Sequence, residues 1–130
     1  MTPHLLILDD EPSLTMVISY MLQGMGWRVS VTNDPKEALT LLCTDGVDMF
    51  LTDYRMPQSN GLDVIEALRQ SNPTMPVILM SGYALEIDRL VTERLGVFAI
   101  LEKPFEQGHL VETLNRALTL LPPHSQSSMK

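Results

Sequence analysis

Asp9-Asp10-Glu11, Asp53, Ser81 and Lys103 are the residues of this chain whose types and positions can carry chemistry. Each follows a short apolar run. Leu5 to Leu8 leads into the acidic triplet, Val47 to Leu51 approaches Asp53, Val77 to Met80 runs into Ser81-Gly82, and Val97 to Leu101 into Glu102-Lys103-Pro104. If those runs are parallel strands of one sheet, their carboxyl ends open on a single crevice. Three aspartates in a crevice of low polarity repel one another, and at least one is driven toward protonation unless a cation neutralises them. Carboxylate and carbonyl oxygens without His or Cys partners suit a hard ion, so the reading is Mg²⁺, which keeps several waters and readily shares its shell with a phosphoryl group. A hydroxyl at Ser81 and an ammonium at Lys103 supply the hydrogen-bond donor and compact positive charge that a transferred phosphoryl group needs. The acceptor is then a carboxylate, and Asp53 is the central candidate, because aspartate forms acyl phosphates and a metal lowers the repulsion between carboxylate and phosphoryl dianion.

The elements that must position these groups read as βαβαβαβαβα. The four runs above, with Val29-Ser30-Val31 as the fifth, are mostly continuous rather than alternating, as expected for parallel strands covered on both faces. Between them Leu14, Val17, Ile18, Met21 and Leu22 recur at helical spacing, as do Leu110, Leu114, Ala117, Leu118 and Leu121. Asp34-Pro35-Lys36-Glu37 places a capping aspartate before a first-turn proline, with glutamate three residues on to complete a capping box. Gly26, Gly46 and Gly96 stand where helices must stop in a left-handed residue. Right-handed crossovers stack such units into a doubly wound parallel sheet of about five strands with helices on both faces. The sheet domain spans residues 1–121, and Pro122 to Ser128 resembles a Pro/Ser-rich tail or linker over 122–130.

Composition narrows the function classes. In 130 residues, 45% apolar and 19% charged, there is enough apolar surface for one self-sufficient core. A lone Cys43 closes no intramolecular disulfide and builds no thiolate zinc site, which suits a reducing compartment. The N-terminus has no basic leader and its apolar stretch is too short for a signal peptide or a membrane span, so a cytoplasmic protein without membrane insertion is expected. A formal charge of −7 with scattered arginines disfavours direct nucleic-acid binding.

Over residues 4–121 the sequence resembles the receiver domains of two-component response regulators. The resemblance rests on Asp9-Asp10, on Leu51-Thr52-Asp53-Tyr54-Arg55-Met56-Pro57 followed by Gly61-Leu62-Asp63, on Met80-Ser81-Gly82, and on Glu102-Lys103-Pro104-Phe105. It implies a flavodoxin-like fold of strand order 2-1-3-4-5. It also implies that Asp53 accepts a phosphoryl group while Asp9, Asp10, Asp53 and the backbone carbonyl of Arg55 hold Mg²⁺ directly or through water. Ser81 would bind a phosphoryl oxygen, Gly82 would leave room for it, and Lys103 would pair with another oxygen. The donor implied is a sensor histidine kinase or a histidine phosphotransfer domain, and the receiver would catalyse its own phosphorylation and dephosphorylation. A cis peptide at Lys103-Pro104 belongs to the same pattern. The DYRMP and MSGY spellings look more like receivers of hybrid sensor kinases or of regulators with enzymatic output. One departure is Ile100, three residues before the lysine, where the family's switch carries an aromatic; Phe98 and Tyr83 occupy other positions. Arg55 and Tyr83 stand where the resemblance implies control of acyl-phosphate lifetime. A homodimer formed on phosphorylation, through exposed apolar residues of the fourth and fifth helices, is left open.

Blander readings compete at each residue. Asp9-Asp10-Glu11 before Pro12 also reads as a helix N-terminus, and Glu11 is taken as a helix-start acid rather than a ligand. Ser81 also reads as a helix cap. His4, His109 and His124 read as surface residues, Cys43 as a small core hydrophobe, Trp27 as packing, and most of the nine methionines as core. Among other functions, a Mg²⁺-dependent phosphohydrolase working through an aspartyl phosphate lacks the second aspartate two residues after Asp53. A flavin or nucleotide binder lacks a Gly-rich loop after the first strand. A degenerate receiver that binds partners without phosphorylation is at odds with the full set Asp9, Asp10, Asp53, Ser81 and Lys103.

Overall fold

The structure, a computed structural model, describes residues 2–44, 46–57, 59–83 and 87–121. The expected tail and His124 lie outside the described residues. The elements in order are β1 (His4–Leu8), α1 (Pro12–Gly24), β2 (Arg28–Thr32), α2 (Pro35–Thr44), β3 (Met49–Asp53), β4 (Arg55–Met56), β5 (Ser59–Asn60), α3 (Gly61–Ser71), β6 (Val77–Ser81), α4 (Arg89–Arg94), β7 (Ala99–Glu102) and α5 (Gln107–Leu118).

Five strands form one parallel sheet in the order β2-β1-β3-β6-β7, with β4 and β5 as a separate antiparallel pair. Counted within the sheet alone, this is the expected order 2-1-3-4-5. The three central strands β1, β3 and β6 are buried along their whole length, which explains their unbroken apolar sequence. The edge strands differ from expectation: β2 and β7 each keep exposed or half-buried positions, because each has a neighbour on one side only.

Alternate residues of the strands supply two cores. Leu6, Leu8, Phe50 and Leu79 pack against Ala38 and Leu42 of α2 and Val64, Ile65 and Leu68 of α3. Leu5, Ile7, Met49, Leu51, Ile78 and Met80 face the other way, against Ile18 and Leu22 of α1 and Leu110, Leu114 and Ala117 of α5. Trp27 joins this second core, as packing. A buried Leu or Ile is worth about 1.5–3 kcal/mol over an exposed one, so a register slip that exchanged the faces is strongly disfavoured.

The helix signals mostly hold. Pro12 opens α1, and Gly26, Gly46 and Gly96 have φ of 95°, 66° and 69°. Asp34 caps α2 by accepting the Lys36 N–H at 3.0 Å. Asn60 accepts the Asp63 N–H and Asp88 the Leu90 and Val91 N–H groups, capping α3 and α4. Arg69 ties α3 to the end of α4: its guanidinium donates to the carbonyls of Leu95, Gly96 and Asn72 at 2.7, 3.2 and 3.1 Å. The Lys103-Pro104 peptide is cis.

Several expectations fail. His4 is buried, with Nε2 2.7 Å from Ser30 Oγ and Nδ1 without a partner among the described residues. Cys43 is exposed, 3.9 Å from Ser71 Oγ, because Ala38 and Leu42 set the buried face of α2 and residue 43 turns away from it. Val17 is exposed with Met16 and Tyr20. Met49, Met56, Met75 and Met80 are core, but Met16 and Met25 are not. Strand pairing begins at Met49 and Ala99 rather than at Val47 and Val97.

Candidate functional site

The register brings the strand ends together. Leu8 pairs with Thr52, Asp53 with Met80, and Ser81 with Glu102. Asp9 and Asp53 therefore emerge side by side, with Ser81 and Lys103 on the next two strands. Backbone bonds continue the sheet past its formal ends, from Asp9 N–H to Thr32, Tyr54 N–H to Met80 and Lys103 N–H to Ser81. Asp53 follows Met49 and Leu51 in the alternation and so lies on the side of the sheet covered by α1 and α5.

One carboxylate oxygen from each of Asp9, Asp10 and Asp53 falls within 4.8 Å of the others. Asp9 and Asp53 are buried and Asp10 is exposed. Lys103 Nζ lies 2.9 Å from Asp9 Oδ2, 3.3 Å from Glu11 Oε1 and 3.4 Å from Asp53 Oδ2. Burial pushes the Asp9 carboxyl above its ordinary value, although Lys103 pulls the other way. Burial also raises Asp53, helped by the charge of Asp9 and opposed by Lys103. For Lys103, burial works against the charged form, but the carboxylates of Asp9, Asp53 and Glu11 together outweigh it and hold the ammonium above its ordinary value. A cleft of about 290 Å³ adjoins the cluster, walled by Asp9, Asp10, Thr15, Thr32, Asn33 and Glu37. The donor set is all oxygen, two of its carboxyls resist ionisation, and one is open to solvent, which is what a hard divalent cation with retained waters fits.

Asp9, Asp10, Asp53 and Lys103 thus come together as the sequence reading expects. Ser81 is buried at the end of β6, where its Oγ accepts the Tyr83 N–H at 3.0 Å, and Gly82 beside it has open space where a Cβ would stand. Arg55 is exposed in β4, two residues past Asp53. Tyr83 is exposed, while Phe98 is half-buried under Arg116 at 6.0 Å. The residue that sequence reasoning missed is Glu11. It stands at the N-cap of α1, but its side chain makes no capping bond and turns to Lys103 instead. Its backbone N–H donates to Asp9 Oδ1 at 3.0 Å. The signal was its place, two residues from a buried aspartate on the same strand-end loop.

A doubly wound α/β sheet with an all-carboxylate crevice and an engaged lysine defines a narrow class. Residues 5–115 match the response regulator receiver domain family, and the chain belongs to it. It is 38% identical over 114 residues to the transcriptional regulatory protein CpxR of Escherichia coli, covering 88% of this chain and 48% of CpxR. It is 32% identical over 123 residues to the response regulator protein PilR of Pseudomonas aeruginosa, covering 95% of this chain and 28% of PilR. The non-phosphorylated receiver domain of HemR from Leptospira biflexa superposes with a TM-score of 0.84 at 26% identity, over 95% of this chain and 99% of that one. The chain spans about half or less of the curated relatives CpxR and PilR. It is a receiver domain of two-component signal transduction. Among the described residues no helix is long and apolar enough to cross a membrane.

Proposed function

We propose that Asp53 accepts a phosphoryl group in a Mg²⁺-dependent transfer from a phosphohistidine of a sensor kinase or phosphotransfer domain, and that the change of charge there switches the surface offered to an output partner. The observation that carries this is the convergence of Asp9, Asp10 and Asp53 oxygens within 4.8 Å with Lys103 at 3.4 Å from Asp53. In the transfer an Asp53 oxygen attacks phosphorus as the bond to the donor nitrogen breaks, leaving an acyl phosphate and the donor's imidazole. Asp9, Asp10 and Asp53, with the Arg55 carbonyl, would hold Mg²⁺ directly or through water, and the ion would supply charge neutralisation between nucleophile and phosphoryl oxygens. Lys103 turns its ammonium to one of those oxygens, and Ser81 its hydroxyl to another, giving up the Tyr83 N–H it now accepts. Gly82 leaves that approach open, and the same residues later orient water for hydrolysis, so the chain is a switch that handles only its own phosphoryl group. A cytoplasmic setting goes with this reading.

Intact-mass measurement after incubation with acetyl phosphate tests it. The expected result is a hydroxylamine-labile gain of one phosphoryl group that needs Mg²⁺ and is lost in Asp53→Asn. An adduct that persists in Asp53→Asn, or none in the presence of Mg²⁺ together with no complex with beryllofluoride, overturns it.

A further inference from the structure

Lys103 sets one positive charge against three carboxylates. Of its three, Asp9 and Asp53 also belong to the oxygen cluster able to hold a divalent ion, and Glu11 does not. An ion bound there draws on the oxygens that now hold the ammonium, and two cations sharing them repel. Lysine is suited to yield, because its three donors sit on a flexible stem and are not locked in one geometry. Glu11 is suited to receive it. Its side chain is 58% exposed, against 0% for Asp9 and 10% for Asp53, so a pair made there costs little desolvation. The bond from its backbone N–H to Asp9 Oδ1 anchors it beside the site.

We propose that Glu11 is the holding carboxylate for Lys103: when a divalent cation claims Asp9 and Asp53, the ammonium shifts its pairing to Glu11 and stays at the crevice instead of contesting the ion. This rests on reading Asp9, Asp10 and Asp53 as the ion site and makes Glu11 a positioning residue for it. Loss of Glu11 leaves Lys103 committed to the same oxygens as the ion, and affinity for the ion falls.

The test uses Mn²⁺, which shares the oxygen preference of Mg²⁺, with the bound fraction read by electron paramagnetic resonance on the whole chain. Glu11→Gln is expected to weaken binding about three- to fivefold, in keeping with a partly exposed charge pair. In a Lys103→Met background the same substitution is expected to cost less than about 1.5-fold, since the competitor is gone. Equal affinity of Glu11→Gln and the parent chain overturns the proposal. So does an equal loss in both backgrounds, which marks a through-space charge effect with no role for Lys103. Parent chain that binds no Mn²⁺, or binds it unchanged in Asp10→Asn, sinks the ion site itself and this inference with it.

Discussion

Asp53 is held in a crevice where burial and the charge of Asp9 work against its ionisation and only Lys103 works for it. Its folded carboxyl therefore titrates above its unfolded value, as does that of Asp9. Between those values the native state holds more protons than the unfolded chain, so the metal-free protein loses stability as pH rises through that window. Lys103 adds stability at neutral pH where the two carboxyls subtract it, but with the same slope: its contribution is fully present below its unfolded value and is lost as pH rises through the folded one. Asp53→Asn removes one of the repelling charges and leaves Lys103 its bonds to Asp9 and Glu11. The expected outcome is a metal-free protein more stable than its parent at pH 7, with the gain fading toward pH 4 as the parent's Asp53 takes up its proton. Denaturant melts at the two pH values measure it, and an Asn variant less stable than its parent at pH 7 contradicts it.

The elements hold this residue in place through a close backbone approach at Gly61. Gly61 opens α3 against the end of β3, its N–H bonded to the Tyr54 carbonyl at 2.7 Å. A Cβ there runs into the Asp53 carbonyl oxygen and comes within 3.2 Å of Leu79 Cδ1 and Thr52 Oγ1. The obstructing atom is backbone and cannot turn aside, so Gly61→Ala is expected to cost about 1–3 kcal/mol in a thermal or denaturant melt. A change under about 0.5 kcal/mol, usual for an unconstrained surface site, refutes the account. The same scale explains what the sequence reveals. Strand ends were readable because a parallel sheet buried on both faces writes its strands as apolar runs, and acids and a lysine that end such runs stand out. Val47 and Val97 were read as strand because apolarity reports burial and not pairing: Val47 is buried in the core and Val97 packs on it, outside the paired strands, whereas the Phe98 N–H still bonds to the Val77 carbonyl at 2.8 Å just before β7. His4 looked like surface because nothing local tells that Ser30, on the neighbouring strand, partners its ring. Glu11 was masked by a second role that its position also fits, the first turn of a helix.

At the scale of the molecule, the formal charge of −7 and a crevice of carboxylates set how it meets other macromolecules. Such a charge works against contact with a phosphate backbone. In a gel-shift assay at about 100 mM salt, near one Debye length of 10 Å, the chain is expected to leave duplex DNA unshifted; a shift that fades with added salt marks a basic surface and overturns this. The two cores on either side of the sheet hold the helices to it, and Arg69 adds a link between helices of the same layer. Its guanidinium grips the carbonyls of Leu95 and Gly96, just past the last residue of α4, while at the other end Asp88 caps the helix with its own side chain and Ile87, next to it, is buried in the core. The short helix is thus pinned twice, by a charged clasp past its last turn and by an apolar plug before its first, so loss of Arg69 undoes one fastening and leaves the other.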